Sequence, residues 1–198
     1  MRNLSDTVAA ANERMDKLEA LRESSIATSR IIIRMTKKAI HAIHSDEEHK
    51  ALLNSTISEY NKLYASVKGE PEILCSGPVG DAMMELAEAC ILSAVIKKDS
   101  IPSFSSLGIT PQAWVLGLAD CLGEMRRILL NSLMNGDIDD AKDMFGDMET
   151  LCEAVMSFDV PDAILPIRRK QDVARSIMER TRTDIANALL MNKANLKY

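Results

Sequence analysis

Helix breakers in this chain fall in clusters, and the stretches between them interleave apolar and polar residues at helical period. That spacing confines the chain to an all-α fold. A first block runs from about Leu4 to Ile43. Ser45, with Glu48 three residues on, has the pattern of a capping box opening a second helix to about Val67. Gly69, Pro71, Gly77, Pro78 and Gly80 predict a loop, followed by a third helix from about Asp81 to Ile96. Lys97 to Ile109, with Pro102, four serines and Gly108, predicts a second loop. Thr110 and Pro111 read as an N-cap and a first-turn proline. The fourth helix they open should reach Asn135, where Gly136 suits a left-handed cap. Asp137 is placed to cap a fifth, ending near Phe158, and Pro161 and Pro166 bracket the start of a last one that continues to about Met191. The result is six helices, no strand, no internal repeat and one domain over residues 1–198.

Composition agrees. Aromatic residues are 4% and glycines number 8, against 12 methionines, which disfavours a β-sandwich or barrel. A chain of 198 residues buries roughly 70% of its unfolded surface, enough for one core. No apolar run approaches the roughly 20 residues of a membrane span, and no basic-then-apolar leader opens the sequence. The expectation is a cytoplasmic protein without a membrane partner. Cys75, Cys90, Cys121 and Cys152 lie too far apart for a zinc motif or a disulfide framework and read as buried thiols.

Net charge is −5, which argues against a generally basic nucleic-acid coat but not against a local basic groove. Charge is segregated. Arg22 to His44 holds five bases and one acid, Asp137 to Asp162 nine acids and one base, and Arg168 to Tyr198 eight bases and three acids. Zones of this kind suit subunit packing or a polyanion path, or else solvated helix faces. On the first helix Arg30, Arg34, Lys37 and His41 fall within about 60° of one another, a candidate phosphate-contacting stripe.

The carboxylates are the unusual feature. Glu85 and Glu88 share a helix face within MMELAEACILSAVI, and Asp120 and Glu124 share one within WVLGLADCLGEM. Acids in such apolar runs lie at the edge of an apolar face or are buried with cations, because an unpaired buried carboxylate is costly. Two inward acidic pairs on adjacent bundle helices can hold Mg²⁺ or Mn²⁺, which bind carboxylate oxygen. The plainer reading pairs each acid with a neighbour such as Arg126 or Arg127. Gly117, Asp120, Glu124, Arg127 and Asn131 form a polar stripe, and Gly117 and Gly123 would admit another backbone closely. His41, His44 and His49 sit beside Asp46, Glu47 and Glu48 near a helix end, which accounts for them without a metal. Trp114, the one tryptophan, reads as a core or interface anchor. There is no Gly-rich phosphate loop and no nucleophile elbow.

LGLADCLGEMRRILLNSLMNGDID (Leu116 to Asp139) closely resembles the signature helix and turn of translin-associated factor X. DKLEALRESSIATSRIIIRMTKK (Asp16 to Lys38) resembles the N-terminal helix of the same family, and MMELAEACIL (Met83 to Leu92) its acid-bearing segment. RKQDVARSIMERTRTDI (Arg169 to Ile185) fits its closing helix more loosely. The resemblance implies the all-α translin fold, a closed octameric shell and RNA inside it. It implies a metal-dependent endoribonuclease for single-stranded RNA, with Glu85, Glu88, Asp120 and Glu124 as catalytic and metal-holding acids. Arg30, Arg34 and Lys37 would contact the RNA backbone. The loop between the acid-bearing helices is short where the eukaryotic factor has a long insertion, which points to a compact homo-oligomer. Asp81 has no family counterpart and stays outside the expected site. Translin itself suggests the alternative of a non-catalytic shell for single-stranded RNA or DNA. A further alternative is an all-α nucleotide pyrophosphohydrolase, which also holds Mg²⁺ with paired acids.

Overall fold

The computed structural model describes residues 3–195. Its elements are α1 (Leu4–His44), α2 (Lys50–Val67), α3 (Pro71–Leu74), α4 (Gly77–Lys97), α5 (Phe104–Leu107), α6 (Pro111–Asn135), α7 (Ile138–Met156) and α8 (Arg168–Asn195). Six of these are the expected long helices; α3 and α5 are single turns within the two expected loops. No strand occurs among the described residues.

α4 is the centre of the molecule. Thirteen of its residues are buried, from Val79 to Val95. It packs against α1 on one side and α6 on another, with α2 also touching it, while α6 carries α7 and α8. A helix buried on nearly every face must be apolar almost all round, and within α4 acids occur only along the line of Asp81, Glu85 and Glu88. α1 differs. Its buried residues all lie from Ser25 onward, and its N-terminal half carries exposed Leu4, Val8 and Met15. Among the described residues no helix is long and apolar enough to cross a membrane.

Local signals explain most boundaries. The Thr110 Oγ1 accepts from the Ala113 N–H at 3.2 Å, with Pro111 in the first turn, and Gly136 closes α6 at φ 87°. Four expectations are corrected. Ser45 does not open α2: its N–H donates to the His41 and Ala42 carbonyls and closes α1, and Asp46 then turns at φ 54°. Glu48 still serves the next helix, because its Oε1 accepts from the Lys50 N–H at 2.7 Å. Asp137 makes no side-chain cap on α7; Asp139 and Asp140 in the first turn supply favourable negative charge instead. α4 begins at Gly77, four residues before Asp81, because Pro78 sits in a first turn where its missing N–H costs nothing. α8 begins at Arg168, beyond both prolines.

Of the thiols, Cys90 and Cys121 are buried as expected, Cys152 is partly buried and Cys75 is exposed. Trp114 is an anchor: half-buried, it donates its indole N–H to the Pro102 carbonyl at 2.8 Å and ties α6 to the preceding loop. Tyr60, fully buried on α2, donates to the Gly108 carbonyl at 2.7 Å and fastens the other end of that loop.

Candidate functional site

The site is made by the crossing of α4 and α6. A Cβ on Gly117 would lie 2.6 Å from the Met84 carbonyl oxygen, 2.7 Å from the Ala87 Cβ and 2.9 Å from the Glu88 nitrogen. Only glycine lets the two backbones meet at this point. The contact brings Glu85 and Glu88 on α4 beside Asp120 and Glu124, one and two turns further along α6. The other expected approach does not occur within the subunit: nothing lies within 4 Å of a Cβ on Gly123.

Glu88 is the most enclosed of the four, at 9% exposure. Burial pushes its carboxyl up to about 8, and the charges of Asp120, Glu85 and Glu124 add to the shift. Glu85, half-buried, is also raised, by burial first and then by Asp120, Asp81 and Glu124, with Lys37 opposing. Each carboxylate thus feels the others. That mutual repulsion is the electrostatic signature of a place that accepts cations.

Two side chains from distant elements already serve the cluster. The Lys170 Nζ on α8 donates to both oxygens of Asp120, at 2.5 and 2.6 Å. The His44 Nε2, at the end of α1, contacts the Glu124 Oε2. The His44 side chain is 4% exposed, and its Nδ1 is buried with no hydrogen-bond partner. The plain pairing of these acids with Arg126 and Arg127 is largely absent. Arg126 reaches Thr181 and Asp184 on α8, both at 2.7 Å, and Arg127 comes only to 4.0 Å from Glu124.

A cleft of about 410 Å³ opens over the cluster, lined by Lys37, Ile40, His41, Glu85, Glu88, Glu124 and Arg127. Asp120 lines a second cleft of about 300 Å³ with Ala119, Arg169, Lys170 and Val173. Lys37 and His41 of the predicted stripe therefore reach the site. Arg34 and Arg30 are exposed on the same helix but outside the cleft lining. They lie one and two turns away, roughly 5 and 10 Å along the axis. Asp81 is exposed at the start of α4 and touches the cluster through its charge on Glu85.

Sequence reading missed His44 as a partner of Glu124, and it missed Lys170. One signal was present for His44: it follows Ile40 by four residues and so continues the buried face of α1. None was present for Lys170, one of three consecutive bases. Among the described residues, no three acid, histidine or cysteine side chains converge as they stand on a point that would hold an ion. Asp120 is held by Lys170 and Glu124 by His44. The donor set nevertheless fits a hard divalent cation by its chemistry: four carboxylates, two of them pushed towards protonation by burial first and by the charge of their neighbours second.

Fold and site together define an all-helical protein with a polycarboxylate cleft bordered by bases. No family profile matches the chain. It is 36% identical over 171 residues to an uncharacterized protein of Methanocaldococcus jannaschii, spanning 84% of this chain and 76% of that one. It superposes on the crystal structure of AfC3PO with a TM-score of 0.87 and 34% identity, covering 93% of this chain and 98% of the other. The structure of AfC3PO with duplex RNA gives the same TM-score at 33% identity, over 93% and 97%. Apo-NeC3PO has the same fold, with a TM-score of 0.81 and 22% identity over 95% and 98%. The chain belongs to the translin/C3PO family.

Proposed function

We propose that the protein is a Mg²⁺- or Mn²⁺-dependent endoribonuclease that cuts single-stranded RNA inside a shell built from its own copies. The observation that carries this reading is the meeting of Glu85, Glu88, Asp120 and Glu124 at the Gly117 crossing, under a cleft bordered by bases. The AfC3PO complex with duplex RNA supports nucleic acid as the ligand class.

Glu85, Glu88 and Glu124 face the cleft and would hold the cation, with Asp120 joining once Lys170 lets go. A bound divalent ion supplies an activated water and neutralises charge on the leaving oxygen. The remaining work falls to the chain. Lys37 and Arg127, on the cleft wall, orient a backbone phosphate over the acids. His44 holds the Glu124 Oε2 and so sets the direction of that carboxylate. It is a positioning residue. Hydrolysis of this kind leaves 5′-phosphate and 3′-hydroxyl ends. A cyclic 2′,3′-phosphate would mean attack by the RNA's own 2′-hydroxyl and would overturn the mechanism.

The deciding experiment is cleavage of labelled single-stranded and duplex RNA in Mn²⁺, with EDTA and a Glu124→Ala protein as controls. Cleavage of the single strand, lost in both controls, is the expected result. Cleavage surviving Glu124→Ala would remove Glu124 from the site. RNA bound intact by the parent protein would make this a binding shell and no nuclease.

Arg30, Arg34 and Lys37 form the approach to the cleft. Each replacement by Ala is expected to weaken single-strand binding and to flatten the log–log salt dependence, by about 0.7 for every phosphate left without its cation. An unchanged slope in all three variants would reject the stripe as an RNA path. The shell has a physical motive in exposed Leu4, Val8, Met15 and Ile31 along α1, apolar surface that packing between copies would cover. Light scattering is expected to return a homo-oligomer, an octamer by the family resemblance; a monomer would end the enclosed-chamber idea.

A further inference from the structure

The Asp120–Lys170 pair sets the cation reading a specific problem. Both oxygens of Asp120 are taken by one ammonium group. An ammonium and a divalent cation cannot share those two oxygens without close repulsion. Lys170 has somewhere else to go. It lines the 300 Å³ cleft next to Arg169, which is exposed and makes no ion pair among the described residues. Lysine's four-carbon stem and rotatable donors suit such a swing.

We propose that Lys170 is a displaceable counter-ion: it holds Asp120 until a divalent cation takes that carboxylate, then moves beside Arg169 and binds a phosphate of the nucleic-acid strand. This rests on the metal-dependent reading above and assigns a phosphate-binding subsite to the second cleft. With Asp120 given over to the cation, the cleft keeps two positive side chains and no uncompensated negative one. It then suits a phosphate, in a cleft that shares no lining residue with the one bordered by Lys37 and Arg127. Metal and strand must then favour each other's binding, because each benefits from the same movement of one side chain.

Calorimetric titration of Mn²⁺ into the full chain, alone and with a short phosphorothioate single-stranded RNA checked for integrity on a gel, reads this coupling without relying on turnover. The parent is expected to bind Mn²⁺ more tightly when the strand is present. Lys170→Met is expected to bind Mn²⁺ about tenfold more tightly without the strand, having lost a competing unit charge, and to gain little more when it is added. Lys170→Arg should return to the parent's behaviour. Arg169→Gln should weaken strand binding in Mn²⁺ and leave the affinity for Mn²⁺ alone unchanged; it keeps the idea testable if Lys170→Met does not fold. Parental Mn²⁺ affinity in a folded Lys170→Met, or unaltered strand binding in Arg169→Gln, would overturn this inference and leave the nuclease reading standing. A parent that takes up no Mn²⁺ would overturn both.

Discussion

In metal-free buffer at pH 9, a Glu88→Gln protein is expected to melt roughly 10 °C above the parent, and at pH 4 to melt with it. The sign follows from the direction of the shift. Glu88 titrates at about 8 in the folded protein, against roughly 4.3 in an unfolded chain. The folded state holds the proton more tightly, so the stability linked to it is fully present below the unfolded value. It is lost as pH rises through the folded value. The full loss is on the order of 5 kcal/mol. At about 2–4 °C per kcal/mol for a chain of this size, the difference in melting is easily read. Gln imitates the protonated carboxyl and loses nothing on that path. Mn²⁺ should reverse the order, because it stabilises only a protein that binds it. The same variant is expected to lose RNA cleavage by at least about a hundredfold, the usual cost of removing one electrostatic group from a reacting centre. A melting difference that ignores pH would mean that Glu88 is not held in the raised state.

Gly117→Ala is expected to lower the melting temperature by about 5–10 °C, while Gly123→Ala raises it slightly. The two glycines stand six residues apart on α6, yet a methyl group meets opposite surroundings. At Gly117 it strikes a carbonyl oxygen at 2.6 Å and a backbone nitrogen at 2.9 Å, atoms that cannot rotate away. Overpacking of this kind costs about 1–3 kcal/mol. At Gly123 the space is open within the subunit, and alanine gains about 0.5–1 kcal/mol from its better helix propensity. Because the nitrogen struck at Gly117 belongs to Glu88, the substitution should also reduce metal-dependent cleavage. Thermal melts of both variants check the pair of signs. A Gly117→Ala protein as stable as the parent would show that α4 and α6 cross elsewhere.

Much of the architecture is legible in local chemistry. Thr110, Pro111 and Gly136 mark the limits of α6 as read, since a cap, a first-turn proline and a left-handed glycine act on their immediate neighbours. The same locality explains the errors. Ser45 and Glu48 have the spacing of a capping box, but α1 runs on to His44, and Ser45 is used in closing it. The N-terminal turns of α4 were hidden because Gly77, Pro78 and Gly80 read as breakers, while the packing of Val79 and Ala82 into the core repays their low propensity.

The four acids divide along the same line. Their pairing within each helix, Glu85 with Glu88 and Asp120 with Glu124, is determined by sequence, because side chains three and four residues apart share a face whatever surrounds the helix. So are the all-helical class and the basic stripe of Arg30, Arg34 and Lys37, which depend on the same periodicity. Which pair meets which, and how deeply, was decided only by the tertiary structure. The close contact at Gly117 joins α4 to α6 and buries Glu88. It takes the packing of α1 and α8 to bring His44 to Glu124 across 80 positions and Lys170 to Asp120 across 50. Helical period fixes angles about one axis; the burial, the partner and the charge state of each carboxylate depend on where the other axes lie.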